Sequence, residues 1–261
     1  FEKNENDIEL NKFKQTIELQ KNLVIDGLSK PISSFEDQSY YYAVFTTLKN
    51  SKSLLEISNS STASLATKLH LAISTCQLVK ALHNQQLIIN TITPEKLLVD
   101  QNNQVHMLDL FFASKINIIK KGFTARSFDQ QSLNTLAPEA TGRMNQAVGQ
   151  HSDLYSLGAT LYKLFAECFP FEFNDEMEMV HAHIAKTPKL AHYRNANVPE
   201  QIAVILAKLL NKNPDTRYKT INGLLYDLQQ CAEQLAQKGN ILTFSIGAQD
   251  VSGKLTFSNK I

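Results

Sequence analysis

Ala137-Pro138-Glu139, Asp153-Leu154-Tyr155-Ser156-Leu157-Gly158 and Arg217 decide how this chain is read. Each is weak alone; their order, with gaps of about 14 and then about 60 residues, carries the information. Leu154 to Phe165 has large apolar residues on every side: Leu154, Tyr155, Leu157, Leu161, Tyr162, Leu164 and Phe165. A helix apolar all round is a buried one. Ser152 or Asp153 can cap its start, and Gly158 lets a second backbone come close. Beside that core Glu139 is a costly carboxylate to bury without a cation, and an arginine fork is its natural partner.

Working outward, 261 residues suffice for one domain or two small lobes with a sizeable core. Hydrophobic content of 43% against 20% charged residues is ordinary for a globular chain. A formal net charge of +1 gives no electrostatic signature of nucleic acid or an anionic membrane. No apolar run approaches the ~18 residues of a membrane-spanning helix, and no signal peptide is visible. Cys76, Cys168 and Cys231 are scattered and odd in number, so they read as reduced core residues of a cytoplasmic protein. The chain starts at Phe1 and ends in Ser258-Asn259-Lys260-Ile261, which reads as a piece of something longer.

Phe13, Ile17 and Val24 predict a helix over Leu10 to Val24, ended by Asp26-Gly27. Tyr40 to Leu48 predicts a strand paired with Ser29 to Phe35, and Asn50 to Asn59 a polar connector. Leu65, Leu69, Ala72, Cys76 and Val79 predict an amphipathic helix to His83. Leu97-Leu98-Val99 and Val105-His106-Met107-Leu108 flank Asp100-Gln101-Asn102-Asn103, a β-hairpin. Further helices are expected over Asn174–Lys186, Pro199–Asn211 and Thr220–Lys238, the last stopped by Gly239. A small sheet followed by many helices is an α+β arrangement in which a helical part dominates.

In this order the motifs resemble the lower half of the eukaryotic-type protein-kinase fold. Within it they are most similar to the kinase-like domain of bacterial multidomain sensor proteins, which carry an ATPase module, sensor domains and often a histidine kinase. The resemblance rests on Pro138-Glu139-Ala140-Thr141-Gly142-Arg143-Met144-Asn145, the Asp153 to Gly158 stretch and His181-Ala182-His183-Ile184-Ala185-Lys186. Gly239 to Phe257, with Phe244, Gly247 and Asp250, resembles the segment leading into that ATPase. It implies that Glu139 pairs with Arg217, whereas Lys212 just before it reads as a surface residue. It also implies three parts: a partial β-containing lobe over 1–50, a kinase-like helical lobe over 51–238, and a linker over 239–261.

The same resemblance exposes what catalysis lacks. No glycine-rich phosphate loop occurs, and the strand lysine that holds phosphates would lie before Phe1. The glutamate that pairs with that lysine falls at Thr16; Glu18, two residues on, points about 200° away. Aligned on Pro94, the His-Arg-Asp triplet falls on Ile89-Asn90-Thr91, so the catalytic aspartate is Thr91. The metal-binding asparagine falls at Lys96, where a cation repels a divalent ion. Asp109 survives from Asp-Phe-Gly, followed by Leu110 and Phe111. Asp109 is the candidate magnesium ligand, and beside Lys96 it is expected to form an ion pair standing in for the metal bridge. His181 and His183 read as helix surface rather than a metal pair. Lys115 to Lys121 reads as a solvated basic loop that could dock an acidic partner, and Ser127, Ser132 and Thr135 read as polar loop residues.

The expectation is a kinase-like domain without catalysis, a regulatory or scaffold module working through neighbouring ATPase, sensor and histidine-kinase domains. No cofactor, nucleic acid or membrane insertion is expected. The rivals are an active serine/threonine kinase using ATP, magnesium and Asp109, and a nucleotide-binding switch without phosphoryl transfer.

Overall fold

The computed structural model describes residues 7–46, 48–116, 130–173 and 175–251. Helix α1 (Asp7–Asn22) leads into two antiparallel strands, β1 (Pro31–Glu36) and β2 (Tyr41–Phe45), with Phe35 opposite Tyr42. The expected hairpin is present with trimmed ends. Asp37 closes its turn by accepting the amides of Ser39 and Tyr40, each at 2.7 Å. One face of the hairpin meets α1, with Tyr41 edge-on to Phe13 at 5.6 Å and Lys14 2.9 Å from Glu36.

Asn50 to Asn59 is not a plain connector. It forms β3 (Lys52–Ser53) and α2 (Leu54–Ser60). Ser53 Oγ accepts the Glu56 amide while Glu56 accepts the Ser53 amide, a reciprocal cap that starts a helix in spite of its polar composition. Leu54, fully buried, anchors it.

Helix α3 (Leu65–Asn84) begins on the Ser64 cap, and β4 (Leu87–Ile88), β5 (Leu97–Val99), β6 (Val105–Met107) and β7 (Ser114–Lys115) follow. β3, β5 and β6 form one antiparallel sheet in that order, and β4 pairs with β7. The β5–β6 turn is held by Asp100 Oδ1, which accepts the amides of Asn102 and Gln104 at 2.8 and 2.9 Å.

The remaining helices are α4 (Gln130–Leu133), α5 (Gln150–Ala166), α6 (Glu176–Ala185), α7 (Glu200–Leu209) and α8 (Ile221–Lys238), with a 3-10 turn over Pro138–Thr141. Every residue of α5 from Ser152 to Ala166 is buried, so the core forms around it. Gly158 sits where a Cβ would come within 2.6 Å of Leu209 Cβ on α7, the close approach for which a glycine is needed. α8 starts on the Thr220 cap and stops at Gly239, whose φ is +73°.

Four further expectations change. Asp153 does not cap α5; Gly149 precedes the helix, and Asp153 lies inside it with other partners. His181 is exposed but His183 is fully buried, because Met179, Val180 and His183 share the inward face of α6. Ser132 and Thr135 are buried rather than loop-exposed, while Ser127 and residues 117–121 lie outside the described residues. Residues 240–251, expected as part of a linker, pack back on the helices, with Phe244 and Ile246 against the core. Cys76 and Cys231 are buried and Cys168 half-buried, all with free thiols. Among the described residues no helix is long and apolar enough to cross a membrane.

Candidate functional site

The loop after β4 carries Asn90 in the left-handed region, φ +69°. That turn aims two successive amides inward at Asp153, which is wholly buried on α5. Asp153 accepts from Ile89 N at 2.9 Å, Asn90 N at 2.7 Å and pairs with His83 Nε2 at 2.8 Å. A buried carboxylate is tolerable when several donors meet it, and here the donors are the loop's own backbone. Thr160 adds a 2.6 Å bond from Oγ1 to Ile92 O, so α5 sets the loop's position at both ends.

Asn90 then binds the loop to the segment after Asp109. Its Nδ2 donates to Phe112 O at 2.6 Å and Ser114 Oγ at 3.2 Å. Thr91, next in line, is buried and offers a hydroxyl where a general base needs a carboxylate.

The structure brings Lys96 and Asp109 together: Lys96 Nζ lies 3.3 Å from Asp109 Oδ1 and 5.3 Å above the Phe112 ring. The same carboxylate oxygen accepts Phe111 N at 3.0 Å. Both side chains are partly exposed, so the pair adds little stability. Its consequence is electrostatic: the carboxylate that the sequence offers as a cation ligand already faces an ammonium. Among the described residues no three His, Cys, Asp or Glu side chains cluster as a metal site. The residues at this position do not fit a magnesium ion.

On α1, Thr16 is buried and donates back to Lys12 O at 2.9 Å; it reaches no other element through that bond. Glu18 is exposed and pairs with Lys21 at 2.5 Å. The tie between α1 and the Asp109 segment comes from Gln20, which the sequence did not single out. Gln20 is fully buried. Its Nε2 donates to Ser29 O at 2.6 Å and Leu108 O at 3.0 Å, and its Oε1 accepts Leu110 N at 3.1 Å. One amide thus holds the backbone on both sides of Asp109. Phe111 packs between Phe13 of α1, tilted at 5.3 Å, and Phe112, edge-on at 4.7 Å. A signal existed: Phe13, Ile17 and Gln20 follow the spacing of one helix face, so Gln20 points where the apolar residues point.

The structure also brings Glu139 and Arg217 together, in a bidentate fork of 2.7 and 2.9 Å. Arg217 spends its other donors on Asn211 O, His151 O and Lys212 O, and its guanidinium lies 4.9 Å over the Tyr155 ring. Burial alone would push the Glu139 carboxyl up; the Arg217 bonds and charge outweigh it and hold the carboxyl below its ordinary value. Lys212 is half-buried rather than a free surface residue. Its ammonium donates to His183 O, Ala182 O and Tyr155 OH at 2.8, 3.3 and 3.2 Å, capping the end of α6. Desolvation, with Arg217 nearby, lowers its pKa to about 8.

The comparisons agree with this geometry. The protein kinase domain family matches residues 1–230. The hybrid signal transduction histidine kinase G of Dictyostelium discoideum is 34% identical over 167 residues, 56% of this chain and 5% of that protein. The serine/threonine-protein kinase PknB of Mycolicibacterium smegmatis is 27% identical over 153 residues, 59% of this chain and 24% of that protein. The peroxide stress-activated histidine kinase mak3 of Schizosaccharomyces pombe is 26% identical over 177 residues, 65% of this chain and 8% of that protein. The chain therefore spans a quarter or less of the length of these relatives. With the Glu139–Arg217 fork, the loop held by Asp153 and a small β part beside a larger helical part, it belongs to the protein kinase domain family.

Proposed function

We propose that this kinase-family domain transfers no phosphate and serves as a regulatory or scaffold module of a cytoplasmic signal-transduction protein. The observation that carries the reading is the Lys96–Asp109 contact of 3.3 Å. A magnesium–nucleotide bound at Asp109 would have to displace or face that ammonium, and charge stabilisation is most of phosphoryl-transfer catalysis. Thr91, without a carboxylate, and Thr16, bonded to its own helix, support the same conclusion. Contact partners are sought among neighbouring domains of the same polypeptide, of ATPase, sensor or histidine-kinase type. Two of the relatives are named histidine kinases, of which a domain like this one spans only 5% and 8%.

Two observations favour an active enzyme instead: PknB is named a serine/threonine-protein kinase, and Asp109 is present. Incubation with γ-labelled ATP and magnesium or manganese separates the readings. The domain should label neither itself nor generic protein substrates above a no-enzyme blank. Incorporation abolished by Asp109→Asn would establish the active kinase. Thermal shift with nucleotide, with and without magnesium, tests the nucleotide-switch alternative; no shift is expected.

A further inference from the structure

Residues 240–251 contain no helix or strand, yet side chains of α7 and α8 hold their backbone at successive points. Gln234 Oε1 accepts Leu242 N at 2.8 Å. Gln201, buried on α7, brackets Phe244: its Oε1 accepts Phe244 N at 3.0 Å and its Nε2 donates to Phe244 O at 3.2 Å. Asp227, buried on α8, accepts Gly247 N at 2.7 Å through the oxygen that also accepts Tyr218 OH at 2.5 Å. Gly247 turns the chain at φ +76°. Asp250 then reaches the beginning of α8, accepting the amides of Lys219 and Thr220 at 2.8 and 2.9 Å and the Thr220 hydroxyl at 3.0 Å.

Gly223 shows how close the fit is. A Cβ there would lie 2.5 Å from Asp250 Cβ and 2.8 Å from its Cα, so any side chain at 223 evicts Asp250. Helix propensity alone argues against a glycine at this position in α8. Its presence is explained by the segment lying over it.

We propose that residues 240–251 are a latch: a strap seated on α7 and α8 and closed by Asp250 over the start of α8. Closed, it fixes the direction in which the chain leaves at Val251. Its catch, Lys219 and Thr220, follows directly on Arg217 and Tyr218. The latch therefore ties the outgoing chain to the loop that completes the Glu139–Arg217 fork. Opening it would free the outgoing chain and release the amides of Lys219 and Thr220 beside that loop, which is a route by which position on one side becomes structure on the other.

The test is hydrogen exchange with mass spectrometry on the full chain, together with melting temperature, for the parent, Asp250→Ala and Gly223→Ala. In the parent the amides of Leu242, Phe244 and Gly247 should exchange at least about tenfold more slowly than an unstructured chain. Both variants should lose that protection. Gly223→Ala should lower the melting temperature, although glycine to alanine inside a helix ordinarily raises it. Unprotected amides in the parent, protection retained in Asp250→Ala, or a melting temperature raised by Gly223→Ala would overturn the latch.

Discussion

Replacing Arg217 with alanine removes five hydrogen bonds at once, two of them to Glu139, from a residue that is 1% exposed. What remains is a carboxylate with no access to water, together with the carbonyls of Asn211, His151 and Lys212 deprived of their donor. Breaking a buried pair by deleting one partner costs about 3–5 kcal/mol. At about 2–4 °C per kcal/mol for a chain of this size, the melting temperature should fall by roughly 6–20 °C. The control is Lys219→Ala, whose side chain is exposed, with an expected effect within about 0.5 kcal/mol. Lys212→Ala would be a poor control because that ammonium caps α6. Acid adds a second readout. In the parent, the Glu139 carboxyl is held below its ordinary 4.5, so its contribution is complete above that value and lost as pH falls through the folded-state value. In Arg217→Ala the strongest influences opposing burial are gone, leaving only the Ser152 and backbone bonds against it, so the carboxyl rises and protonation relieves the variant as pH falls toward 4.5. Differential scanning fluorimetry at stepped pH should therefore show the gap between parent and variant narrowing in acid. Small, equal shifts for Arg217→Ala and Lys219→Ala, or a gap independent of pH, would refute the argument.

Gln20→Leu keeps the bulk of the side chain but strands Leu110 N and the carbonyls of Ser29 and Leu108. At about 1–3 kcal/mol per buried unsatisfied group it should lower the melting temperature by several degrees and speed exchange of the Leu110 amide; an unchanged protein would dismiss the clamp. Thr91→Asp with Lys96→Asn and Phe111→Gly places the resembling family's metal-site residues at these positions and should bind magnesium–nucleotide better than the parent, read by calorimetry, while still failing to turn over, because Thr16 cannot hold a phosphate-binding lysine. Measurable turnover would mean that the inactive reading rested on those three side chains alone. Burial and the Lys212 charge hold His183 down at about 3 from its ordinary 6.5, so the unfolded chain binds more protons between those values. The stability tied to His183 is complete above pH 6.5 and declines below it, and His183→Gln should flatten the fall between pH 7 and 5. Parallel profiles would exclude His183 as the titrating group.

The parts legible in the sequence are those where a charge or a glycine stood inside an apolar pattern. Glu139 beside an all-apolar helix demanded a cation, and Gly158 within that helix demanded a close neighbour, which is Leu209. Side chains that bind backbone were not legible, because an amide or carboxylate can serve any peptide group and the sequence names none. Gln20, Asn90, Gln201, Asp227 and Asp250 all act this way. In the sequence Asp153 reads as a helix cap, since nothing in the chain marks Ile89 and Asn90 as the donors it meets. Helix α2 is hidden by its polar composition, although Ser53 and Glu56 hold the spacing of a reciprocal cap.

The resemblance assigns Thr16 the place of an acidic residue that would bind a strand lysine and, through it, a nucleotide. Thr16 instead closes on its own helix at Lys12 O. One turn further along the same face, Gln20 makes the connection with main chain on either side of Asp109. The exchange is more than conservative rewiring. A glutamate–lysine tie depends on a second strand and responds to the charge of whatever the lysine holds. A neutral amide bonded to two backbone groups depends on neither and is indifferent to bound phosphate. Asn90 makes the same kind of neutral tie between the loop after β4 and the segment after Asp109, at Phe112 O and Ser114 Oγ. Together they join α1, that loop and the Asp109 segment through bonds among the chain's own neutral groups. A domain tied in this way is suited to being a contact surface, and Thr91 and Lys96, standing where the resemblance places an aspartate and an asparagine, then cost the fold nothing.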